Sequence, residues 1–164
     1  MIRILLLVIL LVGGAGAAQP GHTAVVKLPN DLDPVYHLKI DKFPKFEADI
    51  VFKDGRTLRF CCVKSMMNYF YRPMYFPEFG TKPDGSDIAK MVVRDYIDGT
   101  KIDATKAWYV FGSRLTGPHG DDLIPFASKA KAELFMKRYG GSRVMSYKEV
   151  RQKGFGLIDF LDSP

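Results

Sequence analysis

Apolar and polar residues alternate along FEADIVFKDGRTLRFCC, with Phe46, Ala48, Ile50 and Phe52 on one side of a first run and Leu58, Phe60 and Cys62 on one side of the next. Such alternation marks half-buried strands. The Asp54-Gly55 pair between the runs suits a two-residue hairpin turn, because both residue types tolerate positive φ. The period then changes: Val63, Met66, Met67 and Phe70 fall at i, i+3, i+4 and i+7, the apolar stripe of a short helix that Pro73 ends. A strand over residues 90–97, KMVVRDYI, completes a ββαβ unit.

The same order recurs downstream. KAWYVFGS (106–113) and DLIPF (122–126) read as strands, and Ser128 caps a helix that places Ala132, Phe135, Met136 and Tyr139 on one face. Gly140-Gly141 ends that helix, RVMSY (143–147) follows as a strand, and Ser146 with Glu149 has capping-box spacing for a last short helix. The pattern predicts an α+β fold of two tandem ββαβ units, at 46–98 and 105–147. An extended segment at 18–45 precedes them, and a C-terminal helix and tail at 148–164 follow. Neither unit is large enough to bury a comfortable core alone, so the two are expected to share one. Two Pro- and Gly-rich stretches, 72–87 and 113–122, break the pattern, and long loops in compact domains are often functional.

The N-terminus changes the compartment. MIRILLLVILLVGGAGAAQ combines Arg3, an apolar run from Ile4 to Val12, and small residues Ala15 and Ala17, which reads as a removable secretory signal over 1–17. The run is shorter than the roughly 20 residues a bilayer span needs, and no later segment approaches that length. The mature chain is therefore expected in the periplasm and not spanning a membrane. Removing Arg3 lowers the formal charge from +6 to +5, and basic and acidic residues interleave, which gives nucleic acid no basic stripe to bind. Two cysteines are too few for a disulfide framework.

Those two cysteines are neighbours. Strand alternation puts them on opposite faces: Cys62 joins Leu58 and Phe60 in the core, and a serine there would bury a hydroxyl without a partner. Cys61 joins Thr57 and Arg59 on the outer face, where its thiol is open to a ligand and a guanidinium favours the thiolate. A disulfide between adjacent residues would be strained. Met66 and Met67 fit the apolar stripe of the helix, and Met66 is a secondary candidate for a soft metal. Met74, in a loop among aromatics, could offer its thioether to Cu(I) or pack beneath the loop. Of the three histidines, His22 lies near the N-terminus, while His37 in DPVYHLKID and His119 in GPHGDD sit in turn-like segments that can offer imidazole to an ion. No CxxC, HxxxH or HExxH spacing occurs, and no nucleophile and base stand at a recognisable spacing.

The stretches DPVYHLKIDKFPKFEADIVFKDGRTLRFC and KIDATKAWYVFGSRLTGPHGDDLIPFASKAKAELFMKRYGGSRVMSYKEV together resemble the NosL family, exported copper-binding accessory proteins for assembly of nitrous oxide reductase. The resemblance covers nearly the whole mature chain and implies two ββαβ units, in agreement with the repeat. It also implies copper as cargo, Cu(I) foremost, no enzymatic activity, and a copper transporter or nitrous oxide reductase assembly proteins as partners. The family pattern places Cys-Gly-Met after the Asp-Pro dipeptide, where this chain has Tyr36-His37-Leu38 after Asp33-Pro34. It often places methionine in the later glycine loop, where this chain has His119. The expected site is therefore rebuilt around His37 and His119 with Cys61, and Met66 and Met74 are further candidates; imidazole with thiolate suits copper in either oxidation state. Two other readings remain: a metal-free module that docks a transporter or reductase, and a thiol enzyme using Cys61, for which no base is identifiable.

Overall fold

The structure, a computed structural model, describes residues 25–26 and 31–163; the signal read at 1–17 and His22 lie outside the described residues. The elements are β1 (Val25–Val26), β2 (Ala48–Phe52), β3 (Thr57–Phe60), α1 (Val63–Tyr71), β4 (Ile88–Arg94), β5 (Lys101–Asp103), β6 (Trp108–Phe111), β7 (Ile124–Phe126), α2 (Lys129–Tyr139), β8 (Arg143–Ser146) and α3 (Tyr147–Asp162). They form a five-stranded sheet in the order β1-β3-β2-β4-β5 and a three-stranded sheet in the order β7-β6-β8. In both units the first strand is central and antiparallel to its two neighbours, β2 between β3 and β4, β6 between β7 and β8. The repeat read from the sequence is thus a repeat of topology. The larger sheet is extended at its edges by β1, parallel to β3, and β5, antiparallel to β4.

Local chemistry adjusts several bounds. The first hairpin is wider than a two-residue turn: the Phe52 amide donates to Arg56 O at 2.8 Å, and Gly55, at φ 89°, supplies the left-handed residue. A three-residue loop with glycine at that position is the next commonest hairpin connection. The strand expected at 90–97 runs instead from Ile88 to Arg94, because Asp95 turns the chain by accepting the Ile97 amide on its carboxylate and the Gly99 amide on its carbonyl. The last helix is not short. It carries the expected capping box of Ser146 and Glu149 but continues to Asp162, across a kink at Gly154, whose φ of 54° and ψ of −139° suit a residue without Cβ.

The core lies between the sheets. Ile50, Phe52, Leu58 and Phe60 of the larger sheet pack on Met66, Met67 and Tyr69 of α1, on Leu157, Ile158 and Leu161 of α3, and on Tyr109 and Met145 of the smaller sheet. The opposite face of the smaller sheet, with Val110, Ile124 and Phe126, is covered by Ala132 and Phe135 of α2. Neighbouring Tyr109 and Val110 thus serve different layers, as the strand period of two requires. Both units feed one core.

Candidate metal centre

The start of α1 is where three chain segments converge. Strand β3 ends at Phe60, so Cys61 and Cys62 form a bend rather than two more alternating positions, and both are fully buried. Cys62 is the N-cap of α1, its Sγ accepting the Ser65 amide at 3.5 Å. Asp33, also fully buried, ties the preceding segment down. Its carboxylate accepts the amides of Val35, Tyr36 and Cys61 at 2.7–2.8 Å and the Ser65 hydroxyl. A carboxylate beside a helix N-terminus is stabilised by the free amides and the helix dipole. Asp122 approaches the same helix from the loop before β7, its Oδ1 accepting the Lys64 and Leu123 amides. Among the described residues its Oδ2 has no hydrogen-bond partner, the Cys62 thiol lies beside the carboxylate, and burial pushes its pKa up to about 6.

Held in this way, the 33–38 turn presents Tyr36 to the later glycine loop. The Tyr36 and His119 rings stack with centroids 4.0 Å apart and planes 7° from parallel. The Tyr36 hydroxyl donates to Asp162 Oδ1 at 2.8 Å, and burial together with that carboxylate raises its pKa well above the phenol range. Beneath the stack lies the Lys64 ammonium, on a side chain only 1% exposed. It donates to the carbonyls of His119 and Leu161, pairs with Asp162 Oδ1 at 3.1 Å, and faces the Tyr36 ring at 5.4 Å. Asp162 Oδ2 accepts from Asn68 at 3.2 Å, and Asp162 Oδ1 lies 4.0 Å from His119 Nδ1. A cavity of about 470 Å³ opens here, lined by Lys64, His119, Asp121 and Asp162 among others.

Of the candidates named from sequence, His119 is exposed at the mouth of this corner. His37 is exposed too, in a left-handed conformation (φ 56°), the backbone state that the glycine of the family pattern would adopt freely. Its neighbour Tyr36, not His37 itself, makes the contact with His119. The open thiol expected at Cys61 is corrected: it packs with Ile40, Cys62, Leu38 and Phe43 because the strand ends one residue earlier, and Arg59 is engaged on the sheet's outer face by Glu47 and Asp31. Met66 is fully buried in the main core. Met74 is 53% exposed in a turn beyond the far end of α1, about 10 Å along that helix from Lys64. Among the described residues no group of three or more His, Cys, Asp or Glu side chains converges as a ligand set. Sequence reasoning missed Lys64 and Asp162. For Lys64 a signal existed, since it is the sole charge in FCCVKSMMNYFY; for Asp162, in the final turn of a helix read as short, there was none.

A sequence model of the NosL family matches residues 29–155. The chain is 32% identical over 113 residues to a protein of Stutzerimonas stutzeri named "Copper-binding lipoprotein NosL"; the match covers 69% of this chain and 58% of that protein, less than two thirds of its length. The fold is similar to the crystal structure of the copper chaperone NosL from Shewanella denitrificans, with a TM-score of 0.59 and 24% identity over 72% of this chain and 87% of that one, a likeness of fold. Among the described residues no helix is long and apolar enough to cross a membrane.

Proposed function

The chain belongs to the NosL family, and on that premise we propose that it is an exported copper-binding accessory protein that meets its cargo at the Tyr36–His119 corner. One observation carries this reading. The two places where the sequence departs from the family's sulfur ligands, Tyr36 and His119, are 83 positions apart in the chain, yet their rings stack at 4.0 Å in a solvent-open corner. His119 is the donor there, with exposed His37 nearby in sequence as a second imidazole. Imidazole with carboxylate suits copper, and without a thiolate it suits Cu(II) at least as well as Cu(I). Cys61, Met66 and Met74 are not needed. The role is non-enzymatic, and the full burial of Cys61, the thiol a nucleophilic enzyme would have used, works against that alternative. Delivery in the periplasm to nitrous oxide reductase maturation or a related target, through a transporter or assembly protein, is the finer form of the proposal.

A second reading has its own support. The corner already holds a buried cation, Lys64, which favours a metal-free module that keeps the family fold for docking. Titration of the mature protein with Cu(I) and Cu(II) against competing chelators separates the two. The copper reading expects one copper per chain, bound more weakly at acid pH where protons compete for imidazole, and weakened at least about tenfold by His119→Ala. Wild-type affinity in His119→Ala would move the site elsewhere. No binding by the wild type would leave the docking module.

A further inference from the structure

The Lys64 side chain is long enough to reach solvent, yet its ammonium is turned inward. It donates hydrogen bonds to two carbonyls, of His119 and Leu161, and is ion-paired with Asp162 Oδ1 at 3.1 Å. Two carbonyls, a carboxylate and an aromatic face are what a bound cation of unit charge would be given. Two of these groups, Leu161 O and Asp162, are supplied by the half of α3 beyond the Gly154 kink, past residue 155 where the family match ends.

Resting on the copper reading above, we infer that Lys64 is the resident cation of this corner and sets its metal affinity, so that copper gains Asp162 as a donor beside His119 only by displacing the Lys64 ammonium. His119 Nδ1 and Asp162 Oδ1 stand 4.0 Å apart, a gap that two metal–ligand bonds of about 2 Å can span. An ion bonded at about 2 Å to Asp162 Oδ1, which is 3.1 Å from the Lys64 nitrogen, lies no more than about 5 Å from that ammonium. At an effective dielectric of about 20, two unit charges that close lower the affinity by roughly two orders of magnitude. The carboxylate that should attract the ion is also already neutralised by its pair. Copper affinity in this chain is therefore controlled by a side chain that need not bind copper at all.

The test compares wild type, Lys64→Gln and Lys64→Gln/Asp162→Asn, each checked for wild-type circular dichroism, in competition titrations with Cu(I) and Cu(II). Glutamine keeps a donor for one of the carbonyls and removes the charge. The expected result is binding at least tenfold tighter in Lys64→Gln, with the gain lost in the double variant. A second measurement needs no substitution: Lys64 should resist an amine-acylating reagent in the free wild-type protein and be modified at least tenfold faster, by peptide mass spectrometry, once copper is bound. If wild type binds copper while Lys64→Gln binds no tighter, or if Lys64 stays protected with copper bound, the inference is overturned and the copper reading stands. If Lys64→Gln binds copper and the wild type does not, the inference stands and the native chain is no copper carrier. If neither binds copper, both fall.

Discussion

The two repeats share a topology, but their helices lead different lives. In α1, Val63 to Met67 and Tyr69 are all buried, and the helix lies between the larger sheet and α3. Helix α2 buries Ala132 and Phe135 and turns Leu134, 61% exposed, outward. Each helix start nevertheless receives a buried carboxylate from the other unit: Asp122 of the second accepts the Lys64 amide at 2.9 Å, and Asp95 of the first accepts the Ala127 amide at 2.8 Å. Each also has a lysine in its first turn. Lys131 pairs with Asp95 at 3.0 Å, whereas the Lys64 ammonium is drawn away to Asp162, leaving one oxygen of Asp122 without a nitrogen or oxygen donor. The duplicated framework decides where the carboxylates go. The destination of one lysine decides whether each carboxylate is neutralised, and at α1 the corner has claimed it.

The largest test of the contrast is volume. Met67→Ala removes a side chain that is 1% exposed in the shared core and is expected to cost about 2–5 kcal/mol. Leu134→Ala on α2 should stay within about 0.5 kcal/mol. Urea denaturation of both variants at neutral pH makes the comparison. A large loss at Leu134 would mean that the outer face of α2 is covered in solution, and the two helices would then differ less than their surroundings suggest.

The next test is electrostatic and separates the two carboxylates. Because the folded-state pKa of Asp122 is raised to about 6, the folded chain binds a proton there that the unfolded chain releases near the ordinary carboxylate value. Its contribution therefore destabilises as pH rises through this interval and is fully expressed above pH 6. Asp122→Asn keeps the acceptor for the Lys64 and Leu123 amides and removes the charge. Relative to wild type, this variant should gain about 3 kcal/mol between pH 3.5 and pH 7, a difference that cancels every other titrating group. Asp95→Asn, which abandons an ion pair, should lose stability at neutral pH instead. A flat difference for Asp122→Asn would show that its carboxylate is ionised without penalty and that the two helix starts are electrostatically alike.

The repeat itself was legible in sequence because its signals are local. Strand alternation, the helical stripe of Val63, Met66 and Met67, the Ser128 cap and the Ser146–Glu149 box all depend on residues within a few positions of one another, and the structure carries each of them. What failed was the extension of a period past its element. Alternation stops at Phe60, and the face assignment of Cys61 failed with it. The corner was half legible: Tyr36 and His119 stood out as departures from a family pattern, but nothing local says that Lys64 folds inward or that α3 runs on to bring Asp162 across. Those are tertiary outcomes, set by partners 55 to 126 positions away in the chain.

The smallest expected effect concerns the cysteine pair and reverses the expectation drawn from alternation. A serine at Cys62 was expected to bury a hydroxyl without a partner, but the structure gives it two. As N-cap, a serine oxygen can accept the Ser65 amide that Sγ now receives at 3.5 Å, and serine is among the preferred residues at that position. Its O–H can donate to the neighbouring Asp122 carboxylate in place of the weaker thiol. These gains oppose the loss of a buried sulfur, so Cys62→Ser should change stability by less than about 1 kcal/mol. Stabilising the carboxylate should also lower the Asp122 pKa and flatten the pH dependence described above. Cys61→Ser is the contrast, because that thiol packs among Ile40, Leu38 and Phe43, its backbone amide is used by Asp33, and its side chain has the Cys62 thiol, not a carboxylate, as polar neighbour. There the hydroxyl is expected to cost about 1–3 kcal/mol. Equal losses at the two positions in urea denaturation, or a steeper pH dependence in Cys62→Ser, would mean that the Cys62 thiol serves packing rather than the carboxylate beside it.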